Sequence, residues 1–147
     1  IAVTGSADKR DFLHALGAHD VVVASAGYSA EVWKLTGKRG VDVAMENLGH
    51  SLEDTLRSMA LGGRVVVLGN VQPGAVAVNP GLLIGRRLKV QGSGSATLEQ
   101  LRTALALIHG GQVNPLIDRV LPFPQVSEAH ALLESRQVSG RIVLSGW

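Results

Sequence analysis

Thr4, Gly5 and Ser6 end the apolar opening run IAV, and Lys9 and Arg10 stand one helical turn further on. Two hydroxyls, an unhindered backbone, a helix start and two cations in so short a stretch suit a phosphate group. Free N–H groups at a helix start point at an anion, and Lys and Arg add charge-assisted hydrogen bonds. A plainer reading competes: Ser6 caps the helix while Lys9 and Arg10 are solvated, and capping is compatible with phosphate binding.

Three further clusters share a position in the pattern. Asn47, Leu48 and Gly49 follow VDVAME, Gly69, Asn70 and Val71 follow RVVVL, and Gly92 and Ser93 follow LKVQ. Each comes after a short β-branched run, and ligands of open α/β sheets sit beyond the carboxyl ends of the strands. Glycine at such an end lets backbone N–H and C=O groups approach a ligand closely. Gly69 and Gly92 can also be read as ordinary turn glycines.

Side chains for acid–base, nucleophilic or metal chemistry are sparse. His14, His19, His50, His109 and His130 fall on different elements without H-E-x-x-H spacing, and read as surface or packing histidines. Glu46 is the single carboxylate near the presumed cleft. No G-x-S-x-G elbow occurs, and GSGSAT has another spacing. Catalytic residues are therefore left unassigned, and no metal ligands are expected within this segment.

These clusters need a scaffold, and the hydrophobic pattern supplies one. The runs IAVT, DVVV, VDVAME, GGRVVVLGN and RRLKVQGSG are each followed by a segment with helical spacing, the signature of βαβ units and a parallel sheet. Helix starts are expected at Ser6 or Asp8, at Ser29, at Ser51 with Asp54, and at Thr97 with Gln100 in capping-box spacing. Gly17, Gly37 and the pair Gly62 and Gly63 are expected to close the corresponding helices. Five strands and at least four crossover helices then account for residues 1–110. Pro73, Gly74, Pro80 and Gly81 make the 71–85 stretch mostly loop, with one short helical turn at GLLIG. After Gly110 and Gly111 the texture changes to a strand LIDRVLPF, a helix from about Gln125 to Glu134 and a strand GRIVLS.

Composition narrows the function classes. The formal net charge is +2, aromatic residues make up 3% of the chain, and Lys and Arg are scattered; an isoelectric point near 9.4 reflects a small cationic excess, not a basic patch. A nucleic-acid partner is disfavoured. The cysteine count of zero excludes disulfides and thiolate metal sites in this segment and fits a cytoplasmic location. No apolar run approaches the ~20 residues of a membrane span, and no membrane partner is expected. Ile1 is not an initiator methionine, so the chain is expected to begin inside a longer one.

The blocks LGAHDVV, VDVAMENLG, TLRSMALGGRVVVLGN, LKVQGSGSAT, GGQVNPLIDRVLPFPQVSEAHALLES and SGRIVL, in this order, resemble the C-terminal half of the medium-chain dehydrogenase/reductases. That superfamily includes zinc-type alcohol dehydrogenases and zinc-free quinone and acryloyl-CoA reductases. The resemblance covers essentially the whole chain. It implies an α/β fold: a Rossmann-type doubly wound parallel sheet lacking its first βα unit over residues 1–111, and a short C-terminal β-α-β return to the catalytic domain over 112–147. The first strand is central in such a sheet, so its absence implies a slot between IAVT and VDVAME with unpaired edges and exposed apolar faces. A second copy could fill it by strand exchange.

The resemblance also implies the ligand. In NAD-binding sheets an acidic residue at the end of the second strand accepts the ribose hydroxyls and repels a phosphate. Thr4 holds that position here, and with Gly5, Ser6, Lys9 and Arg10 favours NADP(H) over NAD(H). The Asn47 to Gly49 cluster would line the adenosine side, and the clusters at Gly69 and Gly92 the nicotinamide side. Arg141 matches a basic position that can contact the pyrophosphate, or is a surface cation. Zinc ligands and substrate-polarising residues would lie outside this segment. The expected activity of the whole protein is hydride transfer on an alcohol/carbonyl pair or an activated C=C bond, with this segment inactive alone; the alternative is a non-catalytic nucleotide- or protein-binding Rossmann-like fragment. A homodimer through the 86–94 edge strand is expected, unless Arg86, Arg87 and Lys89 serve to keep that edge from pairing.

Overall fold

The computed structural model describes residues 1–24, 27–71 and 74–146. They form two compact units, residues 1–95 and the remainder from Ala96 onward. Pro73, read above as part of a loop, lies outside the described residues.

The first unit alternates strand and helix throughout. Its strands are β1 (Ala2–Thr4), β2 (Val21–Val23), β3 (Val41–Glu46), β4 (Met59–Val67) and β5 (Lys89–Gly92). Between them run α1 (Arg10–Ala15), α2 (Ser29–Leu35), α3 (Leu52–Arg57) and α4 (Pro80–Arg86). All pairings are parallel, and they divide into two sheets ordered β1-β2 and β3-β4-β5. Among the described residues no ladder joins the two sheets; the resemblance implies a break there, between β1 and β3. β1 and β3 each pair on one side only. Val43 and Met45 on β3 are exposed at 59% and 67%, although parallel sheets normally have both faces covered.

Apolar packing gathers on the three-stranded sheet. Leu56, Met59 and Val65 are fully buried, with Val41, Ala44, Leu52, Val67, Leu82 and Leu83 against them. Burying such side chains contributes about 1.5–3 kcal/mol each, which fixes α3 and α4 on β4.

Several helix boundaries differ from the sequence expectation. Gly17 and Gly37 do close α1 and α2: their N–H groups bond the carbonyls of His14 and Lys34, and those of Ala18 and Lys38 reach back to Leu13 and Trp33, the Schellman pattern. Gly62 and Gly63 close nothing. α3 already ends at Arg57, and Met59 to Gly63 belong to β4 as a bulge, since Val41 pairs with Met59 but Val43 with Arg64. Neither Ser6 nor Asp8 caps α1, because a 3-10 turn at Ala7–Lys9 intervenes and the Ser6 hydroxyl bonds the Asp8 carboxylate at 3.3 Å. GLLIG is part of a seven-residue helix; Asn79 accepts from the Gly81 N–H at 2.9 Å and Pro80 occupies the first helical position, a strong start signal.

The second unit holds α5 (Leu98–His109), β6 (Ile117–Pro122), α6 (Val126–Glu134) and β7 (Arg141–Ser145). The capping box of α5 forms as expected: Gln100 N–H donates to Thr97 Oγ1 at 3.2 Å and Thr97 N–H to Gln100 Oε1 at 2.8 Å. β6 and β7 pair in parallel across α6, the β-α-β return expected for the tail.

Candidate dinucleotide site

At the carboxyl end of β3 the chain turns through Asn47, Leu48 and Gly49, and at the end of β4 through Gly69, Asn70 and Val71. The two turns are locked together. Leu68 N–H donates to the Glu46 carbonyl at 2.8 Å, and Val71 N–H to the Leu48 carbonyl at 3.1 Å. A Cβ on Gly69 would lie 2.0 Å from the Asn47 carbonyl oxygen, and Gly49, at φ 83°, would bring one to 3.0 Å from Asn70 Oδ1. No other residue fits Gly69, and a left-handed backbone favours glycine at 49. Gly69 is thus demanded by the protein's own packing. Next in the sheet, Ser93 N–H donates to the Val67 carbonyl at 2.9 Å, placing Gly92 and Ser93 beside the end of β4.

Glu46, the last residue of β3, organises this edge from below. It is 3% exposed. Its Oε1 accepts from the backbone N–H groups of Leu48 and Gly49, both at 2.9 Å, and from Ser51 Oγ at 2.8 Å; its Oε2 accepts from Thr55 Oγ1 at 2.5 Å. Burial pushes the Glu46 pKa up, but the hydrogen bonds from Thr55, Ser51, Leu48 and Gly49 together outweigh it and hold the carboxyl below its ordinary value.

The network reaches across the break in the sheet. The Thr55 hydroxyl has one proton, given to Glu46, so the Tyr28 hydroxyl donates to Thr55 Oγ1 at 2.5 Å. Burial raises the Tyr28 pKa. Asp54 Oδ2 accepts from the N–H groups of Tyr28 and of Ser29, the latter at 3.2 Å. A carboxylate from α3 therefore satisfies the first turn of α2, which has no side-chain cap of its own. Ser29 and Ser51 do not cap as expected; the Ser51 hydroxyl serves Glu46 instead. Tyr28 and Thr55 were not singled out from the sequence, and Asp54 only as a helix-start residue. Their contacts span 25–27 positions, and the only local signal was the Ser51 and Asp54 spacing, which suggested a cap on α3.

At the end of β1, Thr4 Oγ1 accepts from the Ser6 N–H at 3.3 Å and stands 3.3 Å from the Ser6 carbonyl. Lys9 and Arg10 follow in the turn, Arg10 exposed. A Cβ added at Gly5 or at Gly92 would meet nothing within 4 Å, so the backbone at the ends of β1 and β5 is open to a ligand. Arg141 begins β7 in the second unit, where its N–H bonds the Leu116 carbonyl at 2.8 Å.

Arg86 does not guard the β5 edge. It stacks 4.6 Å over the Trp33 ring and donates to the carbonyls of Arg57 at 2.6 Å and Met59 at 2.9 Å, while Trp33 Nε1 donates to the same Arg57 carbonyl. It joins α2, the end of α3 and α4. Among the described residues no three His, Asp or Glu side chains converge as a metal group, and no helix is long and apolar enough to cross a membrane.

Comparison with known proteins agrees with this architecture. The solved structure of AibC is 43% identical with a TM-score of 0.86, over 98% of this chain and 44% of that one. That of an NAD-dependent alcohol dehydrogenase is 31% identical with a TM-score of 0.88, over 99% and 43%. Acryloyl-coenzyme A reductase of Sulfurisphaera tokodaii is 25% identical over 146 residues, 98% of this chain and 42% of the relative, so the chain spans under half the length of that curated relative. Residues 1–110 match the zinc-binding dehydrogenase family, and the chain, with its parallel Rossmann-type strands and glycine-bearing strand ends, belongs to that family of medium-chain dehydrogenase/reductases.

Proposed function

We propose that this chain is the nicotinamide-dinucleotide-binding portion of an oxidoreductase. The observation that carries the reading is the row of strand ends, where the Asn47–Gly49 and Gly69–Val71 turns are fixed against each other and Gly5 and Gly92 leave open backbone. The dinucleotide, when bound, supplies the hydride chemistry. The chain's own part is to bind and orient it: Asn47, Leu48 and Gly49 on the adenosine side, Gly69, Asn70, Val71, Gly92 and Ser93 on the nicotinamide side. Residues 1–111 form this binding part, and 112–147 the return to a catalytic domain, with Arg141 available to the pyrophosphate.

NADP(H) is the preferred form in this reading, because Thr4, Gly5, Ser6, Lys9 and Arg10 offer hydroxyls, N–H groups and two cations at the end of β1. The nearby Asp8 carboxylate opposes it, and one similar structure is named for NAD. The substrate is an alcohol or carbonyl compound, or an activated C=C bond as the acryloyl-coenzyme A relative suggests. Any zinc would be held by residues outside this segment. The whole protein is read as a cytoplasmic homodimer, paired through the 86–94 edge, where β5 bonds β4 alone and all four of its residues are exposed.

The test is a pair of titrations, with NADPH and with NADH, of the protein that carries this chain and of its Lys9→Ala/Arg10→Ala variant. Loss of the two cations should weaken NADPH by about tenfold or more and leave NADH nearly unchanged. Equal weakening of both nucleotides would remove the NADP(H) assignment.

A further inference from the structure

We propose that Glu46 is a positioning residue for cofactor binding, its buried carboxylate holding the Asn47–Gly49 turn in the shape that receives the dinucleotide. The inference rests on the reading that this turn touches the cofactor.

Two of the three donors on Glu46 Oε1 are the backbone amides of the turn itself, Leu48 and Gly49. Those amides therefore point back into the protein, and the opposite side of the turn is left to face outward. The other donors, Ser51 and Thr55, anchor the carboxylate on the first turns of α3. Tyr28 supports Thr55 from the first turn of α2. The turn is thus shaped from beneath by a rigid lattice, and its outer side is free of that task. All four donors to Glu46 are neutral. Without the carboxylate the Leu48 and Gly49 amides, part-buried and turned into the protein, lose their acceptors, and an N–H left there without a partner is costly enough to drive a local rearrangement. Because Val71 bonds Leu48 and Gly69 packs on Asn47, the rearrangement passes to the neighbouring turn as well.

The experiment compares Glu46→Ala, Glu46→Gln and a control, Thr36→Val, in the protein that carries this chain. Thr36 accepts from the Gly40 N–H at 2.9 Å and takes no part in the strand ends. Melting temperature, the Kd for NADPH and NADH, and amide hydrogen exchange of Leu48 and Gly49 are measured for each. Glu46→Ala should speed exchange at both amides and weaken cofactor binding by about tenfold or more, with kcat at saturating cofactor affected less. Glu46→Gln, whose carbonyl oxygen can still accept from the turn, should recover most of the affinity. Thr36→Val should lower the melting temperature while leaving Kd within about twofold of wild type. The proposal is overturned if Glu46→Ala binds cofactor like wild type, or if Thr36→Val weakens binding as much as Glu46→Ala does. Should Glu46→Ala not fold, Glu46→Asp decides, because its shorter carboxylate cannot reach Thr55 and the turn amides together: faster exchange at Leu48 and Gly49 with a weaker Kd is expected, and wild-type exchange with wild-type Kd overturns the proposal. If the wild type itself binds neither nucleotide, the cofactor reading is wrong and this proposal falls with it, a failure visible before any variant is made.

Discussion

The Thr55 hydroxyl donates to the Glu46 carboxylate at 2.5 Å, and through Tyr28 this contact ties the β1-β2 pair to the β3-β4-β5 sheet. Among the described residues no backbone ladder joins the two sheets, and these side chains carry this part of the connection.

The Glu46 network makes stability depend on acid pH. An unfolded glutamate has a pKa of about 4.3, and the folded value is lower because four hydrogen bonds favour the charged form. The contribution is therefore complete above the unfolded pKa and is lost as pH falls through the folded one. Melting curves of wild type and Glu46→Gln should converge as pH is lowered from about 6 to about 3. A constant gap across that range would show that the charge contributes nothing.

Asp54 substitutes for a missing helix cap. Asp54→Ala should cost about 1–2 kcal/mol, read by denaturant unfolding, and should expose the amides of Tyr28 and Ser29 to faster hydrogen exchange. Ser29→Ala should cost little, because the Ser29 side chain makes no cap bond. Equal effects of the two substitutions would contradict the tertiary cap.

Gly69 and Gly5 should separate packing from ligand access. Gly69→Ala forces a methyl against the Asn47 carbonyl, so it should destabilise the protein by about 2 kcal/mol or more and weaken cofactor binding together with it. Gly5→Ala enters open space and should melt near wild type while still lowering NADPH affinity. A Gly69→Ala protein as stable as wild type would mean that the β3 and β4 turns are not locked as described.

Arg86 holds three helices through a planar guanidinium. Arg86→Ala should cost about 1–2 kcal/mol through the lost Trp33 stacking and the hydrogen bonds lost to the carbonyls of Arg57 and Met59. Arg86→Lys should recover only part of it, since an ammonium cannot reproduce that geometry. Quantitative rescue by lysine in equilibrium unfolding would contradict the stacked arrangement.

Much of the fold was legible because it is local. The β-branched runs IAVT, DVVV and VDVAME became β1, β2 and β3, and Thr97 with Gln100 spelled out the start of α5. The glycine-bearing strand ends were legible too, since a period switch marks where each strand stops. Local reading failed where a tertiary contact took over a local role. Gly62 and Gly63 look like helix terminators, yet the register of β3 against β4 absorbs them as a bulge. Ser51 and Asp54 look like a cap and its partner, yet one turns to Glu46 and the other to Tyr28 and Ser29. Arg86 beside a strand looks like an edge guard, yet Trp33, 53 positions earlier in the chain, claims it. Glu46 was visible only as a lone carboxylate; its weight comes from donors that the fold collects around it.

On the proposed reading, the strand ends of this chain hold a nicotinamide dinucleotide. The most direct measurement is an equilibrium titration of the protein that carries it with NADPH and NADH, followed by nicotinamide fluorescence. Saturable binding of one nucleotide per chain, tighter for NADPH and weakened by Lys9→Ala/Arg10→Ala, is the predicted result; no saturable binding of either nucleotide would contradict the account.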